Sequence, residues 1–293
     1  MFWYQVYGLK VMSDLMFPQL MTAESEGEAD LIIRSTELSK DIQDKWPTVK
    51  YEFGQEYSWL SNKTCQLQVH GGREISYALT GAGMPQYLQT YILGYGMSMA
   101  ALQRGKLCMH CSAMADDKGA IMIAGESGAG KSTVTTFFLA TGYRLMADDM
   151  AFVDENFVYP AFPYQKLCRD VVEREGYDIN ELIYIDEDKD KFLAPVKDRF
   201  EPENRPVKGF VYLYTHSGQD VIVEEFTGLQ RFYVFAGNLF LRKFLKNQKF
   251  APYIGDICLK MAAKVPVLAI GRPNGSDTAA EVVARAMEWA EKL

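Results

Sequence analysis

Ala120-Ile121-Met122-Ile123-Ala124-Gly125-Glu126-Ser127-Gly128-Ala129-Gly130-Lys131-Ser132-Thr133 is the stretch that decides the fold of this 293-residue chain. An apolar run ends in Gly125–Ser132, which satisfies the pattern G-x-x-x-x-G-K-[ST], and Thr133–Leu139 continues as a helix. Strand, glycine loop and helix in that order make a phosphate cradle, because successive backbone N–H groups and the helix N-terminus then face one anion. The glycines allow the backbone to wrap that anion without Cβ clashes. Lys131 is expected on the β- and γ-phosphates of a nucleotide, and Ser132 on the Mg²⁺ side. Gly125, Ser127, Gly128, Ala129, Gly130, Lys131, Ser132 and Thr133 are therefore the expected nucleotide contacts.

Asp148 and Asp149 follow Arg144-Leu145-Met146-Ala147, 17 residues after Lys131. In a right-handed crossover the strand after the helix runs parallel to the strand before the loop, so both carboxylates are expected beside the phosphates. Adjacent strand residues point in opposite directions. One carboxylate can then hold Mg²⁺ while the other takes a proton from an attacking hydroxyl. That pairing favours phosphoryl transfer to an alcohol over an NTPase, which would orient a water instead. His110, within the apolar run Leu107–Ala115, lies just upstream. A single histidine on such a strand is ordinarily a core residue, and Cys108-x-x-Cys111 lacks the further ligands of a tetrahedral zinc site.

Further out, the first hundred residues read as β-rich, with strands at Phe2–Met12, Asp30–Arg34, Val49–Leu60, Thr64–His70 and Glu74–Thr80 and a hairpin at Gly71-Gly72. Met84, Tyr87, Leu88, Tyr91, Ile92, Tyr95, Met99 and Leu102 recur at helical spacing, with Gly94 and Gly96 weakening the helix locally. Beyond the phosphate loop come strands at Ala151–Val153, Phe157–Tyr159, Val207–Thr215, Val221–Phe226 and Val265–Ile270. Helices are expected over Leu229–Leu245 and Tyr253–Ala263, and a closing helix is opened by a Thr278/Glu281 capping box. Glu173–Arg205 holds eleven acidic and six basic residues and reads as an exposed excursion. The expected fold class is α/β with α+β mixing: a β-rich domain over 1–104 and an α/β phosphate-loop domain over 105–293.

Met109-His110-Cys111-Ser112-Ala113, Gly125–Ser132 and Arg144-Leu145-Met146-Ala147-Asp148-Asp149 together resemble the catalytic core of the HPr kinase/phosphorylase family, a branch of the phosphoenolpyruvate-carboxykinase-like P-loop fold. The resemblance implies a kinase core of the HPr kinase C-terminal-domain type. It assigns Asp148 as the acid/base that deprotonates the acceptor hydroxyl, His110 as its supporting histidine, and Ser132 with Asp149 as the metal-side pair; Lys131 of the phosphate loop is expected to neutralise charge in the transition state. Tyr159-Pro-Ala-Phe-Pro-Tyr-Gln-Lys166-Leu-Cys168 resembles a short proline-containing segment of kinase-like relatives. Lys166 and Arg169 beyond it are candidates to meet phosphate or a substrate carboxylate. The family's glycine- and arginine-rich signature is absent after the aspartates, so free serine or a serine in a peptide or small protein is the expected acceptor. ATP and Mg²⁺ are the implied cofactors, and a homo-oligomer is implied by the family.

Composition sets the outer bounds. With 31 Lys+Arg against 38 Asp+Glu the formal charge is -7, which disfavours a nucleic-acid partner. At 48% hydrophobic and 24% charged the chain is globular rather than disordered. Five cysteines, an odd number, suit reduced thiols. No signal-like start is seen, and the most apolar window, Tyr91–Leu102, is too short for a bilayer, so a cytoplasmic protein without a membrane partner is expected. Two rivals share these features: a nucleotide-binding regulator without catalysis, and a kinase of another alcohol such as a sugar.

Overall fold

The computed structural model describes residues 1–23, 27–81, 87–126, 128–174, 176–186, 190–245 and 251–293. Ser127 of the loop, Met84 of the helical stripe, and residues 175 and 187–189 of the acidic excursion lie outside them. The chain divides into two compact units, residues 1–108 with 240–254 and residues 109–239 with 255–293. The segment 240–254, which the sequence reading places in the second domain, groups with the first unit.

The first unit carries β1 (Phe2–Val6), β2 (Leu9–Ser13), β3 (Met21–Thr22), β4 (Leu31–Ser35), α1 (Lys40–Lys45), β5 (Tyr51–Glu52), β6 (Tyr57–Ser61), β7 (Cys65–His70) and β8 (Glu74–Leu79). They form one sheet in the order β3-β1-β2-β4-β8-β7-β6-β5. The strand expected over Phe2–Met12 is a hairpin instead, because Tyr7 and Gly8 both adopt positive φ, the turn whose twist matches flanking strands. The helix follows as α2 (Leu88–Tyr91), a π-helical turn over Ile92–Gly96, and α3 (Met97–Gln103). Its irregular turn falls where the two glycines lower helix propensity, and Gly96 backs onto Ile75, whose Cγ2 would lie 3.3 Å from an added Cβ.

From β9 (Leu107–Met109) the chain enters the second unit, with β10 (Ser112–Ala115), β11 (Ala120–Gly125), α4 (Lys131–Ala140), β12 (Arg144–Ala147), β13 (Ala151–Val153) and β14 (Phe157–Tyr159). The strand expected over Leu107–Ala115 is broken at His110-Cys111, where the His110 amide donates to the Asn238 carbonyl. β15 (Tyr164–Cys168), α5 (Arg169–Arg174), β16 (Ile183–Asp186) and β17 (Lys191–Pro195) come next. The chain continues with β18 (Arg205–His216), β19 (Ile222–Phe226), α6 (Leu229–Gly237), α7 (Arg242–Leu245), which belongs to the first unit, α8 (Ala251–Lys264), β20 (Val267–Pro273) and α9 (Ala279–Lys292). The helix expected over Leu229–Leu245 is thus interrupted after Gly237-Asn238, a helix-stop pair. The closing helix forms without the expected capping box: Thr278 is not extended, and its hydroxyl is buried with no partner rather than aimed at the helix amides.

The main sheet runs β12-β10-β11-β18-β20-β19, with β14, β13 and β9 continuing from the start of the long β18. One face is covered by α4 and α9: Val134, Phe138, Leu139, Val282, Val283, Ala286 and Trp289 pack onto Ile121, Ile123, Val211, Leu213, Leu268 and Ile270. Each buried Val, Leu, Ile or Phe among them contributes about 1.5–3 kcal/mol. The acidic excursion is not wholly exposed. β16 and β17 join β15 in a small antiparallel sheet, where Phe192 and Ala194 pack on Leu167 and Val172. Two apolar residues spaced for one face of a strand were masked by the charges around them. Among the described residues, no helix is long and apolar enough to cross a membrane.

Candidate active site

The site begins at Gly125, the last residue of β11. Its φ is +145°, and a Cβ there would lie 1.9 Å from the Leu213 carbonyl oxygen of β18, so only glycine can sit against that strand. The next residue is pinned as well. Glu126 N donates to the Leu213 carbonyl at 3.0 Å, and its carboxylate accepts from the Thr215 amide and hydroxyl at 3.2 Å. Gly128 and Gly130 take φ of +80° and +102°, and Gly130 serves as the left-handed cap from which α4 starts. Lys131 turns back over the loop, donating to the Gly125 and Glu126 carbonyls at 2.7 and 3.0 Å. Ala129 is buried, whereas Ser132 is exposed and Thr133 half-buried in the first turn of α4.

Asp148 and Asp149 follow β12, which is parallel to β11 as the crossover rule requires. The two strands are not neighbours, because β10 is inserted between them and runs antiparallel to both. That insertion brings Ser112, opposite Ile123, to the edge where β11 and β12 both end. Ser112 Oγ donates a short hydrogen bond to Asp148 Oδ1, and the Lys166 amide donates to Asp148 Oδ2 at 2.7 Å. Both oxygens of this carboxylate are thereby oriented.

Asp149 has a φ of +68°, an uncommon conformation that turns its side chain out of the strand's regular alternation. Its Oδ2 accepts from Lys166 Nζ at 2.7 Å, while His110 Nδ1 lies 3.0 Å from its backbone carbonyl and 3.7 Å from Oδ1. His110 therefore sits beside Asp149, whereas the hydrogen bonds to the Asp148 carboxylate come from Ser112 and Lys166. Lys166 is an internal partner of the aspartates rather than a cation turned outward. Arg169 stands apart from them: its guanidinium pairs with Asp190 at 2.5 Å and covers the Phe192 ring.

The two carboxylates are driven in opposite directions. Burial pushes the Asp148 carboxyl above its ordinary value, and the Asp149 charge adds to the rise, against the hydrogen bonds from Ser112 and Lys166. Burial acts upward on Asp149 too, but the Lys166 and His110 charges and the Lys166 hydrogen bond outweigh it and hold that carboxyl well below the usual range. One aspartate is thus tuned towards accepting a proton and the other towards remaining an anion.

No family model matches the chain, and no curated protein is similar to it in sequence. Among solved structures, the HPr(Ser) kinase/phosphatase from Coxiella burnetii overlaps 64% of this chain and 99% of its own, with 13% identity and a TM-score of 0.30. At that identity and score the overlap carries no statement about the site, which stands on its own residues.

Ser112, Thr215 and Arg272 were not singled out by sequence reasoning. Ser112 had one signal, a polar residue opening the otherwise apolar strand Ser112–Ala115. The other two reach the loop only through the pairing of β18 with β11 and β20, which no local pattern announces. The oxygen donors suit a hard cation. Ser132 offers a hydroxyl and Asp149 a carboxylate, and among the described residues no group of three His, Cys, Asp or Glu gathers to hold a metal alone. Oxygen donors of these two kinds are the type Mg²⁺ takes from protein, the rest of its ligands ordinarily coming from substrate phosphates and water.

Proposed function

We propose that the chain is an ATP- and Mg²⁺-dependent phosphotransferase that moves the γ-phosphoryl group to a serine-type hydroxyl, of free serine or of a serine in a peptide or small protein. The observation that carries this reading is Asp148. Its carboxylate is held at both oxygens, its pKa is raised, and it lies at the sheet edge where the phosphate loop begins. A sensor or switch has no use for a proton acceptor so prepared.

In this reading the loop amides and the α4 N-terminus bind the β- and γ-phosphates, and Lys131 exchanges the Gly125 and Glu126 carbonyls for phosphate oxygens. Asp148 removes the proton from the acceptor hydroxyl as its oxygen attacks the γ-phosphorus, and the bridging oxygen departs with ADP. General-base assistance of this kind contributes roughly 10²–10⁴-fold. Ser132 and Asp149 would hold Mg²⁺, which neutralises the charge developing on the phosphate oxygens. Lys166 favours the ionised state of Asp149 and supplies positive charge beside the carboxylate pair, and His110 lies against the Asp149 backbone carbonyl.

Incubating the purified protein with ATP, Mg²⁺ and a panel of serine, threonine and serine-containing peptides, with products read by mass spectrometry, tests the assignment. A phosphoserine product is expected. ATP turnover that needs no hydroxyl acceptor, or no transfer to any member of the panel, would contradict it.

A further inference from the structure

Arg272 stands beside the phosphate loop. It lies in β20 opposite Thr215 of β18, the residue whose amide and hydroxyl anchor Glu126 of the phosphate loop. Its side chain emerges on the face of the sheet that carries Leu268 and Ile270, the face on which α4 packs. A Cβ built on Gly130, the residue immediately before Lys131, would lie 3.5 Å from Arg272 Nη1. The other arm of the guanidinium is fixed, with Nη2 donating to the Ser276 carbonyl at 2.6 Å.

The side chain is half-buried, and among the described residues no carboxylate pairs with it. Among the other half-buried arginines of this unit, Arg144 and Arg205 both bind Glu201 at 2.7 Å and Arg169 pairs with Asp190, while Arg231 Nε donates to the Phe226 carbonyl. A partly desolvated guanidinium without a counter-anion is costly, and an anion is what the adjoining loop is shaped to hold. In the strand order β12-β10-β11-β18-β20, Arg272 and Asp148 come from opposite sides of β11.

We infer that Arg272 is a second phosphate-binding cation, supplied in cis, that reaches the phosphate oxygens of a bound nucleotide on the side of the loop away from the aspartates. The inference rests on the phosphate-loop reading above. A planar guanidinium with one arm tethered and the other facing the loop contacts phosphate in a fixed direction, which an ammonium at the same place cannot reproduce. Lys131 and Arg272 then flank the anion from two directions.

The test uses the full chain, with inorganic pyrophosphate and MgATP as probes, calorimetry for affinity and thermal melting without ligand for fold. Arg272→Gln is expected to weaken both probes by about tenfold or more, the loss of one charge-assisted hydrogen bond, and to flatten the salt dependence of pyrophosphate binding. Arg272→Lys is expected to weaken them several-fold at an unchanged melting temperature, and it decides the matter by itself if the Gln variant does not fold. Wild-type affinity in a folded Gln variant, or in the Lys variant where only that one folds, overturns the inference while leaving the loop reading intact. A lowered melting temperature with wild-type affinity also overturns it, by reducing Arg272 to a tether for Ser276. If the wild-type chain binds neither probe, the loop reading itself fails and the inference falls with it.

Discussion

Asp148 and Asp149 share a peptide bond but not an environment, and the divergence comes from single residues around them. Ser112 and the Lys166 amide steer Asp148 while opposing the rise that burial imposes. Replacing Ser112 by Ala removes one of the opposing bonds, so the Asp148 carboxyl should rise further. A general base acts only when ionised, and the acid limb of the kcat/KM profile in Ser112→Ala should therefore move to higher pH, with a smaller effect on the plateau. An acid limb unmoved, or moved to lower pH, would remove Ser112 from this role. Asp149 has the opposite sign. Its folded pKa lies below the unfolded value, so it contributes stability above about pH 3.9 that is lost as pH falls through the folded pKa. Lys166→Met should raise the Asp149 pKa towards the ordinary range, a shift that carboxyl NMR titration reads directly.

At the scale of elements, the strand, loop and helix over 120–140 were legible because their signal is local: an apolar run, glycines at fixed offsets, then a helix-forming segment. Gly125 shows what lies beneath the pattern. Gly125→Ala would drive a Cβ into the Leu213 carbonyl at a φ that L-residues avoid, and destabilisation of about 3 kcal/mol or more is expected by urea unfolding. An alanine variant as stable as the wild type would mean that β11 and β18 can separate there. Less legible was the neighbour of β11. The crossover rule correctly makes β12 parallel to it, but β10, an antiparallel strand drawn from upstream, occupies the space between. Non-local pairing of this kind leaves no periodicity to read. The same holds for the small sheet of β15, β17 and β16, whose buried Phe192 and Ala194 are surrounded in sequence by acidic residues. β15, which precedes the acidic excursion and pairs with its β17, delivers Lys166 to the aspartates, a connection that composition does not reveal.

For the whole molecule, the excess of acid over base is distributed with purpose in at least two places. Asp149 is compensated by Lys166. Glu201, buried where the excursion ends, is compensated by Arg144 at the start of β12 and by Arg205 at the start of β18. Glu201→Ala should cost about 2–3 kcal/mol, because two half-buried guanidinium groups lose their acceptor; thermal or urea unfolding would show it. Composition alone gave an acidic globular chain and could not separate an enzyme from a binding protein. The proposed role of Asp148 is what separates them, and the most direct measurement is single-turnover phosphoryl transfer by Asp148→Asn beside its affinity for MgATP. The account expects transfer to fall roughly 10²–10⁴-fold while nucleotide affinity stays within a few-fold of the wild type. Transfer at the wild-type rate, or an equal loss of transfer and nucleotide binding, would contradict it.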